Sequence, residues 1–243
     1  MFRVEPHGSV AVFRMDDGKV NAMGLGFLDA FPRAWHEAEG KAVVLAGNAK
    51  AFGAGLDLKA VTTLPAAELA DFTRRFMDVF RMVLVHPRPV VAAVDRAAFA
   101  GGAVLALCAD FRIATPGARM GVTEVPVGVR FPEPVRALVQ ARLPAHEHAS
   151  AILRGAIRQG EELVQRGWAD RIVPGPELLD ASVQLATELA ASSPFAYAHS
   201  KQQLNEPVLD SFARFDAAAW AKDLGHPDTR AALARTLDRL AKR

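Results

Sequence analysis

The sequence has a single cysteine, Cys108, among its 243 residues. One cysteine cannot form an internal disulfide and supplies no cysteine-based metal site, so nothing in the chain requires an oxidising compartment. The sequence also lacks a strong charge of either sign, because 29 Lys and Arg residues stand against 27 Asp and Glu residues, a formal net charge of +2. Such a balance creates no general field for nucleic acid or anionic lipid. We therefore expect no metal and no nucleic-acid partner.

Long hydrophobic runs are missing as well. The longest apolar stretch, residues 97–109, is well short of the roughly 20 residues that span a bilayer, and it is predicted to be a buried helix. Residues 1–5 have no basic segment leading into an apolar one, so no signal peptide is indicated. We expect a cytoplasmic protein without a membrane partner.

Several common catalytic motifs are absent from the sequence. No glycine-rich segment ends in the Gly-Lys-Ser/Thr of a P-loop, and none has dinucleotide-binding spacing after a strand. The serines lack a nucleophile-elbow context. His146 and His148 are spaced so that they do not share one face of a helix, which favours a solvated turn over a metal site.

The order of predicted elements indicates an α/β fold. Apolar runs predict strands at 10–15, 42–46, 90–94 and 111–114, and helical spacing predicts helices at 27–39 and 66–84. This alternation is typical of mainly parallel pairing. After Val122 the pattern is mostly helical, with one possible strand at 171–173; the predicted helices are 133–143, 147–153, 161–166, 176–191, 195–204, 208–224 and 229–242. A boundary at Ser192-Ser193-Pro194 divides a core, 1–192, from a helical C-terminal subdomain, 193–243.

Two segments of small residues follow predicted strands, Lys50–Leu58 and Phe99–Ala103. Backbone N–H groups at such a strand-to-helix junction can donate hydrogen bonds to a developing oxyanion, and missing side chains let a substrate approach. The alternative is that the small residues only permit close packing of a helix on a strand. From spacing alone the two interpretations remain equally open.

Together these segments resemble the crotonase superfamily, also called the enoyl-CoA hydratase/isomerase family. The resemblance runs nearly from end to end of the chain. It is carried by Gly18–Met23, Ala51–Leu58, Pro89–Val94 leading into Ala100–Gly102, Ala109–Ala114, Thr123–Gly128 and Arg166–Pro174. It is specific for the fold and less so for the reaction, because one fold hosts many chemistries.

The resemblance implies a spiral of ββα repeats with a helical C-terminal part that helps to build homotrimers or dimers of trimers. It also implies an acyl-CoA thioester as the substrate, with coenzyme A as part of that substrate and no separate cofactor. The oxyanion-hole donors fall on the backbone N–H groups of Leu56 and Gly101. The implied substrate and CoA positions are Lys19, Ala22, Ala54, Gly55, Leu56, Asp57, Leu58, Gly101, Gly102 and Val104.

Position 104 departs from the pattern of the family's hydratases. Those enzymes use two glutamates, and here Val104 stands at the first position while Glu124 matches the second. Hydration needs one group to activate water and one to deliver a proton to C2. Moving a double bond from C3 to C2 needs one proton shuttle and stabilisation of the dienolate. The family's Δ3,Δ2-enoyl-CoA isomerases likewise have an apolar residue at the position of Val104 and a single glutamate matching Glu124.

We therefore predict Glu124 to be the general base and then the acid. Apolar neighbours, expected to be Val104, Val122, Val125 and Phe131, should raise its pKa. Another interpretation of Glu124 is a carboxylate on a surface turn.

Two other functions remain open. One is a hydratase, or another enolate reaction, that uses Glu133 or a bound water in place of the missing glutamate. The other is a non-catalytic acyl-CoA-binding protein. Arg130 and Glu133 either reach the acyl pocket and alter substrate choice or only decorate a loop.

Overall fold

A mixed set of strands and helices forms the chain in the computed structural model, which describes residues 1–242. Within these residues the strands are β1 (Phe2–His7), β2 (Val10–Met15), β3 (Ala22–Met23), β4 (Ala42–Ala46), β5 (Ala51–Gly53), β6 (Gly55–Leu56), β7 (Val90–Val94), β8 (Ala97–Phe99), β9 (Phe111–Ala114), β10 (Arg119–Gly121), β11 (Arg158–Gln159) and β12 (Arg171–Ile172). The helices are α1 (Leu25–His36), α2 (Leu58–Thr63), α3 (Ala66–Leu84), α4 (Gly101–Cys108), α5 (Glu133–Arg142), α6 (Ala145–Ile152), α7 (Glu161–Gln165), α8 (Leu178–Ala190), α9 (Pro194–Ala213), α10 (Ala217–Leu224) and α11 (Pro227–Ala241).

A six-stranded sheet with the order β1-β2-β4-β7-β9-β12 forms the centre of the core. Only the β1–β2 hairpin is antiparallel, and the remaining neighbours are parallel, with Val44 opposite both Val12 and Val91. A second sheet, β11-β10-β8-β5, and a short pair, β3-β6, extend from it. The predicted α/β class with mainly parallel pairing is confirmed.

The central strands are buried on both faces. Alternate residues of β4, such as Val43 and Leu45, pack with α1, α3 and α4, whereas Val44 packs beneath α8. Because successive side chains of a strand point to opposite faces, a strand covered on both sides needs an unbroken apolar run. This explains the short continuous runs at 42–46 and 90–94.

Residues 97–109 do not form the single buried helix that the apolar run predicts. The segment is β8 followed by α4, and the two meet at Ala100, whose φ of 48° and ψ of −125° are not helical. Periodicity cannot separate a buried strand from a buried helix in a run that is apolar throughout.

The helices near the C-terminus also differ from their predicted bounds. The helix α9 continues through Pro207, where the sequence suggested a break between 204 and 208. Asn205, just before Pro207, is fully buried and bonds to Arg142 of α5 and to the Leu84 carbonyl of α3, so tertiary packing overrides the local preference of proline.

Helices α9 to α11 share one hydrophobic cluster with the first part of the chain. Val208, Trp220, Leu224 and Leu233 are buried in the same cluster as the strands and α3. The division of the chain at residue 192 stays a prediction.

Asn21 connects the turn before β3 to β5. It is 1% exposed, has a φ of 53°, and its Nδ2 donates to the carbonyls of Met15, Ala51 and Phe52 at 3.0–3.2 Å. Its Oδ1 accepts from the Asp17 N–H at 3.0 Å. Asparagine tolerates the left-handed region better than most residues, so it satisfies these buried groups with little backbone strain.

We expect Asn21→Ala to lower the free energy of unfolding by about 2–3 kcal/mol, because three buried carbonyls lose their donor. Urea unfolding measures the loss. Asn48→Ala is the control, since Asn48 is more exposed and its loss should be the smaller one. Equal losses in both variants would contradict the buried role of Asn21.

Candidate active site

A cavity of about 240 Å³ lies between the strand-to-helix junctions of the first half of the chain and helices α3, α10 and α11. Its lining is almost entirely apolar, and Glu124 is the only ionisable side chain among the lining residues. The lining residues are Ala54, Leu56, Leu58, Phe76, Phe80, Phe99, Ala100, Gly101, Val104, Thr123, Glu124, Val127, Val129, Pro132, Val135, Trp220, Thr236 and Leu240.

Glycines bring the segment around β6 into backbone contact with the start of α4. A methyl group on Gly102 would lie 2.0 Å from the Gly53 carbonyl oxygen, and one on Gly55 would lie 2.4 Å from the Gly101 nitrogen. Gly55 also has a φ of +82°, which other residues rarely adopt. The small residues therefore do permit close packing, and this packing is also what places the two backbone segments side by side at the cavity.

The N–H groups of Leu56 and Gly101 both lie at this junction, beside the cavity that the two residues line. Gly101 is the first residue of α4, so its N–H has no acceptor within the helix. The N–H of Asp57 donates to the Met23 carbonyl at 3.4 Å. Because adjacent residues of an extended strand direct their N–H groups to opposite edges, that of Leu56 points away from β3. Two convergent amides near a helix N-terminus can stabilise an anionic oxygen.

Glu124 lies in the loop after β10, immediately before a turn of 3₁₀-helix at Val125–Val127. Its carbonyl accepts from the N–H groups of Val127 and Val129, at 3.2 and 2.9 Å. The residue is half-buried, but its Oε2 is enclosed and has no hydrogen-bond partner in the described chain. Burial raises the pKa of Glu124 to about 7, which suits a group that takes up and returns a proton near neutral pH.

The upward pKa shift predicted for Glu124 is confirmed, but its predicted neighbours are only partly right. Val104 lines the same cavity. Val122 is buried outside it, and Phe131 packs against the core. Val125 is 39% exposed, because the 3₁₀ turn directs it to the surface.

The sequence-predicted site residues separate into two groups. Those that line the cavity are Ala54, Leu56, Leu58, Gly101, Val104 and Glu124. Those that lie outside its lining are Lys19, Ala22, Gly55, Asp57 and Gly102.

The second group has identifiable structural positions. Lys19 is exposed in a turn, Ala22 pairs with Gly55 between β3 and β6, and Gly102 packs on Gly53. Asp57 caps α2 by accepting from the N–H groups of Lys59 and Ala60, at 3.0 and 3.2 Å. Contact of these residues with coenzyme A stays a prediction.

Arg130 and Glu133 do not line the cavity. Both are exposed, and their side chains form ion pairs with Asp223 and Arg136, respectively. The Arg136 guanidinium holds the pKa of Glu133 below its usual value. The backbone carbonyl of Arg130 does contact a lining side chain, because it accepts from Trp220 Nε1 at 3.0 Å.

The aromatic and helical parts of the lining are not identified from the sequence as site residues. Phe76 and Phe80 belong to the apolar face of α3, and the Phe76 ring stacks on Trp220 with centroids 6.1 Å apart. Thr236 and Leu240 come from α11. Apolar periodicity predicts that such side chains are covered, but it does not distinguish a cavity wall from a packed core.

Comparison with known proteins finds similar sequences along most of the chain. The family model for enoyl-CoA hydratase/isomerase matches residues 5–220. A Thermus thermophilus protein that carries a provisional name as an enoyl-CoA hydratase is 34% identical over 238 residues, which is 93% of each chain.

Solved structures extend the comparison. The Mycobacterium tuberculosis enoyl-CoA isomerase is 27% identical, with a TM-score of 0.82 over 91% of this chain and 97% of that one. A second structure of that mycobacterial protein names it a probable enoyl-CoA hydratase. The human mitochondrial Δ3,Δ2-enoyl-CoA isomerase, 22% identical, superposes with a TM-score of 0.93 over 99% of this chain and 98% of that one, and so shares its fold.

The fold and the cavity together define a protein of the crotonase superfamily. Within it, the chain belongs to the enoyl-CoA hydratase/isomerase family.

None of the helices in residues 1–242 combines the length and the apolar character needed to cross a bilayer.

Glu124→Gln tests the burial of the carboxylate without a substrate. The pKa of Glu124 is raised from 4.5 to about 7 in the folded protein, so the folded state keeps a proton that the unfolded state releases between these values. Stability due to this group is therefore full below about pH 4.5 and is lost as the pH rises through about 7. Relative to wild type, the variant should gain at most about 3 kcal/mol between pH 4.5 and pH 8.

Urea unfolding of both proteins at the two pH values measures this gain. Glu133→Gln should show no such gain, because Glu133 is exposed and its pKa is lowered. A Glu124→Gln difference that is the same at both pH values would show that the carboxylate is solvated.

Proposed function

We propose that the protein is a Δ3,Δ2-enoyl-CoA isomerase, which converts 3-enoyl-CoA to trans-2-enoyl-CoA. The observation that carries the proposal is a single carboxylate, Glu124, whose buried Oε2 has no hydrogen-bond partner in the described chain, in an apolar cavity where Val104 stands at the position of the hydratases' other glutamate. Leu56 and Gly101 line the same cavity and supply the two backbone donors.

The proposed reaction begins when the thioester oxygen accepts from the N–H groups of Leu56 and Gly101. Glu124 removes a proton from C2, and the C–H electron pair is delocalised into a dienolate whose negative oxygen is held by the two amides. The same carboxyl group then returns the proton to C4 while the double bond forms between C2 and C3. No proton, electron or atom is gained or lost, so one carboxylate suffices.

Water addition requires more than this cavity offers. One group must activate water and another must deliver a proton, and the valine side chain can do neither. Glu133, the substitute considered from the sequence, is exposed, paired with Arg136 and outside the cavity lining. The hydroxyls of Thr123 and Thr236 are too weakly acidic or basic to replace a carboxylate near neutral pH.

Hydration remains the second candidate because the Thermus thermophilus relative carries a hydratase name. In a hydratase, a bound water held by Glu124 would take the place of the missing second glutamate. The two candidates differ in their substrates, since a hydratase consumes 2-enoyl-CoA and an isomerase produces it. A non-catalytic acyl-CoA-binding protein would bind the thioester and exchange no C2 proton with deuterated water.

Purified protein with 3-hexenoyl-CoA should show a rise in the absorbance of the conjugated thioester. The rate should increase with pH through about 7, as Glu124 loses its proton. Glu124→Gln should lose at least about a hundredfold in kcat, the scale of general acid–base catalysis.

Glu133→Gln is the matched control, and its rate should equal that of wild type. Crotonyl-CoA should not gain water in either protein. Equal rates for wild type and Glu124→Gln would contradict the isomerase mechanism, and water addition to crotonyl-CoA that depends on Glu133 would favour the hydratase.

We also infer that the chain forms a homotrimer or a dimer of trimers. An exposed apolar surface lies beside the Glu124 loop, formed by Val125, Leu153 and Ile157, which are 39%, 67% and 48% exposed. Gly155 lies against Pro126, and Gly121 lies against Ile157, so these side chains belong to one area. Clustered exposed apolar residues commonly mark a protein–protein contact.

Light scattering should give a mass of about 78 kDa or about 157 kDa, three or six times the 26.1 kDa chain. Leu153→Asp should shift the mass toward that of the monomer, because a charge in an apolar interface loses its hydration. Val85→Asp is the control, since Val85 is 44% exposed but lies at the end of α3, outside this surface and outside the C-terminal helices. A monomeric wild type would contradict the inference.

A further inference from the structure

The position of Glu124 depends on its loop, because Oε2 has no hydrogen-bond partner in the described chain and a backbone hydrogen bond to the carboxylate comes from Glu124 itself. The loop closes on itself through the bonds from Val127 and Val129 to the Glu124 carbonyl. Its outer side rests on residues 153–157, which we call the 153–157 connection, between α6 and β11. A methyl group on Gly155 would lie 2.6 Å from Pro126 Cγ and 3.3 Å from the Thr123 Cα.

The 153–157 connection also supports the strand that leads into the Glu124 loop. Gly121, at the end of β10, lies so close to it that a methyl group there would be 2.8 Å from the Ala156 carbonyl oxygen. β11, which follows the connection, pairs with β10 through Arg158 opposite Met120. A displacement of the 153–157 connection would therefore displace both the Glu124 loop and the strand β10 that leads into it.

A buried ion pair closes the 153–157 connection at its base. Arg158 Nε and Nη2 donate to the two oxygens of Glu147 at 2.8 and 3.1 Å, and Nη2 also donates to Ser150 Oγ at 2.8 Å. Glu147 and Ser150 lie on α6, so the pair joins the helix before the connection to the strand after it. A bidentate Arg–carboxylate pair fixes geometry as well as distance.

The surroundings of the pair make its geometry rigid. The Glu147 side chain is fully buried, and the Arg158 side chain is 17% exposed. Glu147 also accepts from Trp168 Nε1 at 3.2 Å, Arg166 lies 3.9 Å from it, and Glu162 lies 3.9 Å from Arg158. Burial raises the pKa of Glu147, but the hydrogen bonds from Arg158 and Trp168 outweigh burial and hold it below its usual value. The pair therefore stays ionised at neutral pH.

We propose that Arg158 and Glu147 are positioning residues that hold the 153–157 connection against the Glu124 loop and so fix the Glu124 carboxylate in the cavity. Neither residue lines the cavity, so their effect passes through the loop. The proposal rests on the proposed function only for its kinetic readout, because the ionisation of Glu124 can be measured without a substrate.

The test compares Arg158→Met with Lys201→Met. Lys201 is the matched control because it forms another buried ion pair, with Asp110 at 2.9 Å, in which the side chains are 5% and 11% exposed. Asp110 lies beyond the C-terminal end of α4, away from the Glu124 loop. Both variants remove one partner of a buried pair and should lower the unfolding midpoint.

Carbon-13 NMR of proteins labelled at glutamate measures the Glu124 titration, and the signal missing from Glu124→Gln assigns it. In Arg158→Met the pKa of Glu124 should fall from about 7 toward 4.5, because water reaches a loosened carboxylate. The kcat for 3-hexenoyl-CoA should fall ten- to a hundredfold with KM changed less than about threefold, since small displacements of a catalytic group affect mainly the chemical step. Lys201→Met should leave the pKa and kcat unchanged.

Two further variants keep the proposal testable if Arg158→Met does not fold. Arg158→Lys keeps the charge but loses the bidentate geometry, and Gly155→Ala keeps the ion pair but pushes on Pro126. Both variants should lower the pKa of Glu124, as Arg158→Met does. A folded Arg158→Met or Arg158→Lys protein with the wild-type Glu124 titration would overturn the proposal. If the wild-type protein does not isomerise 3-hexenoyl-CoA but Arg158→Met still lowers the pKa of Glu124, the positioning role would be supported and the proposed function overturned.

Discussion

The close approach of two glycine-containing backbone segments is the constraint on which the rest of the site depends. Gly53 and Gly55 lie against Gly101 and Gly102 so tightly that a methyl group added to Gly55 or Gly102 would come within 2.0–2.4 Å of backbone atoms. This contact places the first turn of α4 beside β6, and both N–H donors then border one cavity. Most of the remaining cavity wall is built from apolar side chains, where substitution changes the shape of the space. At the glycine contact, substitution would separate the two donors themselves.

Among the buried carboxylates of residues 1–242, Glu124 is the one with an enclosed oxygen that lacks a hydrogen-bond partner. Glu147 is matched by Arg158 and Asp110 by Lys201, in each case with further hydrogen bonds to the same carboxylate. Glu124 Oε2 has no such partner, and only the Arg88 Nε shares that condition among the side-chain polar atoms buried in residues 1–242. Burial of a carboxylate without a partner raises its pKa and lowers the stability of the fold, and no new contact compensates for that loss. Such a feature is typical of a functional group rather than of a structural one.

The sequence predicts the parts of this molecule in which local pattern and structure agree. Unbroken apolar runs identify the central strands, because burial on both faces demands them, and the glycine segments identify the junctions at the cavity. The break at Ala100 within residues 97–109 and the continuation of α9 through Pro207 escape prediction, since tertiary packing decides both. Trp220 escapes as a site residue because its place beside Phe76 depends on how α10 packs on α3. The outward turn of Val125 likewise depends on backbone geometry that no side-chain pattern encodes.

The fold does not distinguish a hydratase from an isomerase. A human isomerase of 22% identity superposes with a TM-score of 0.93, so the spiral and its junctions do not depend on most of the sequence. Stabilisation of an enolate oxygen by two amides serves either reaction equally, because both pass through charge on the same atom. The reaction is then decided by which side chains stand near the carbons to be protonated. Val104 lies one turn beyond Gly101 on α4, so the helix that brings the Gly101 N–H to the cavity also fixes an apolar residue there, and Glu124 is the one ionisable side chain among the lining residues.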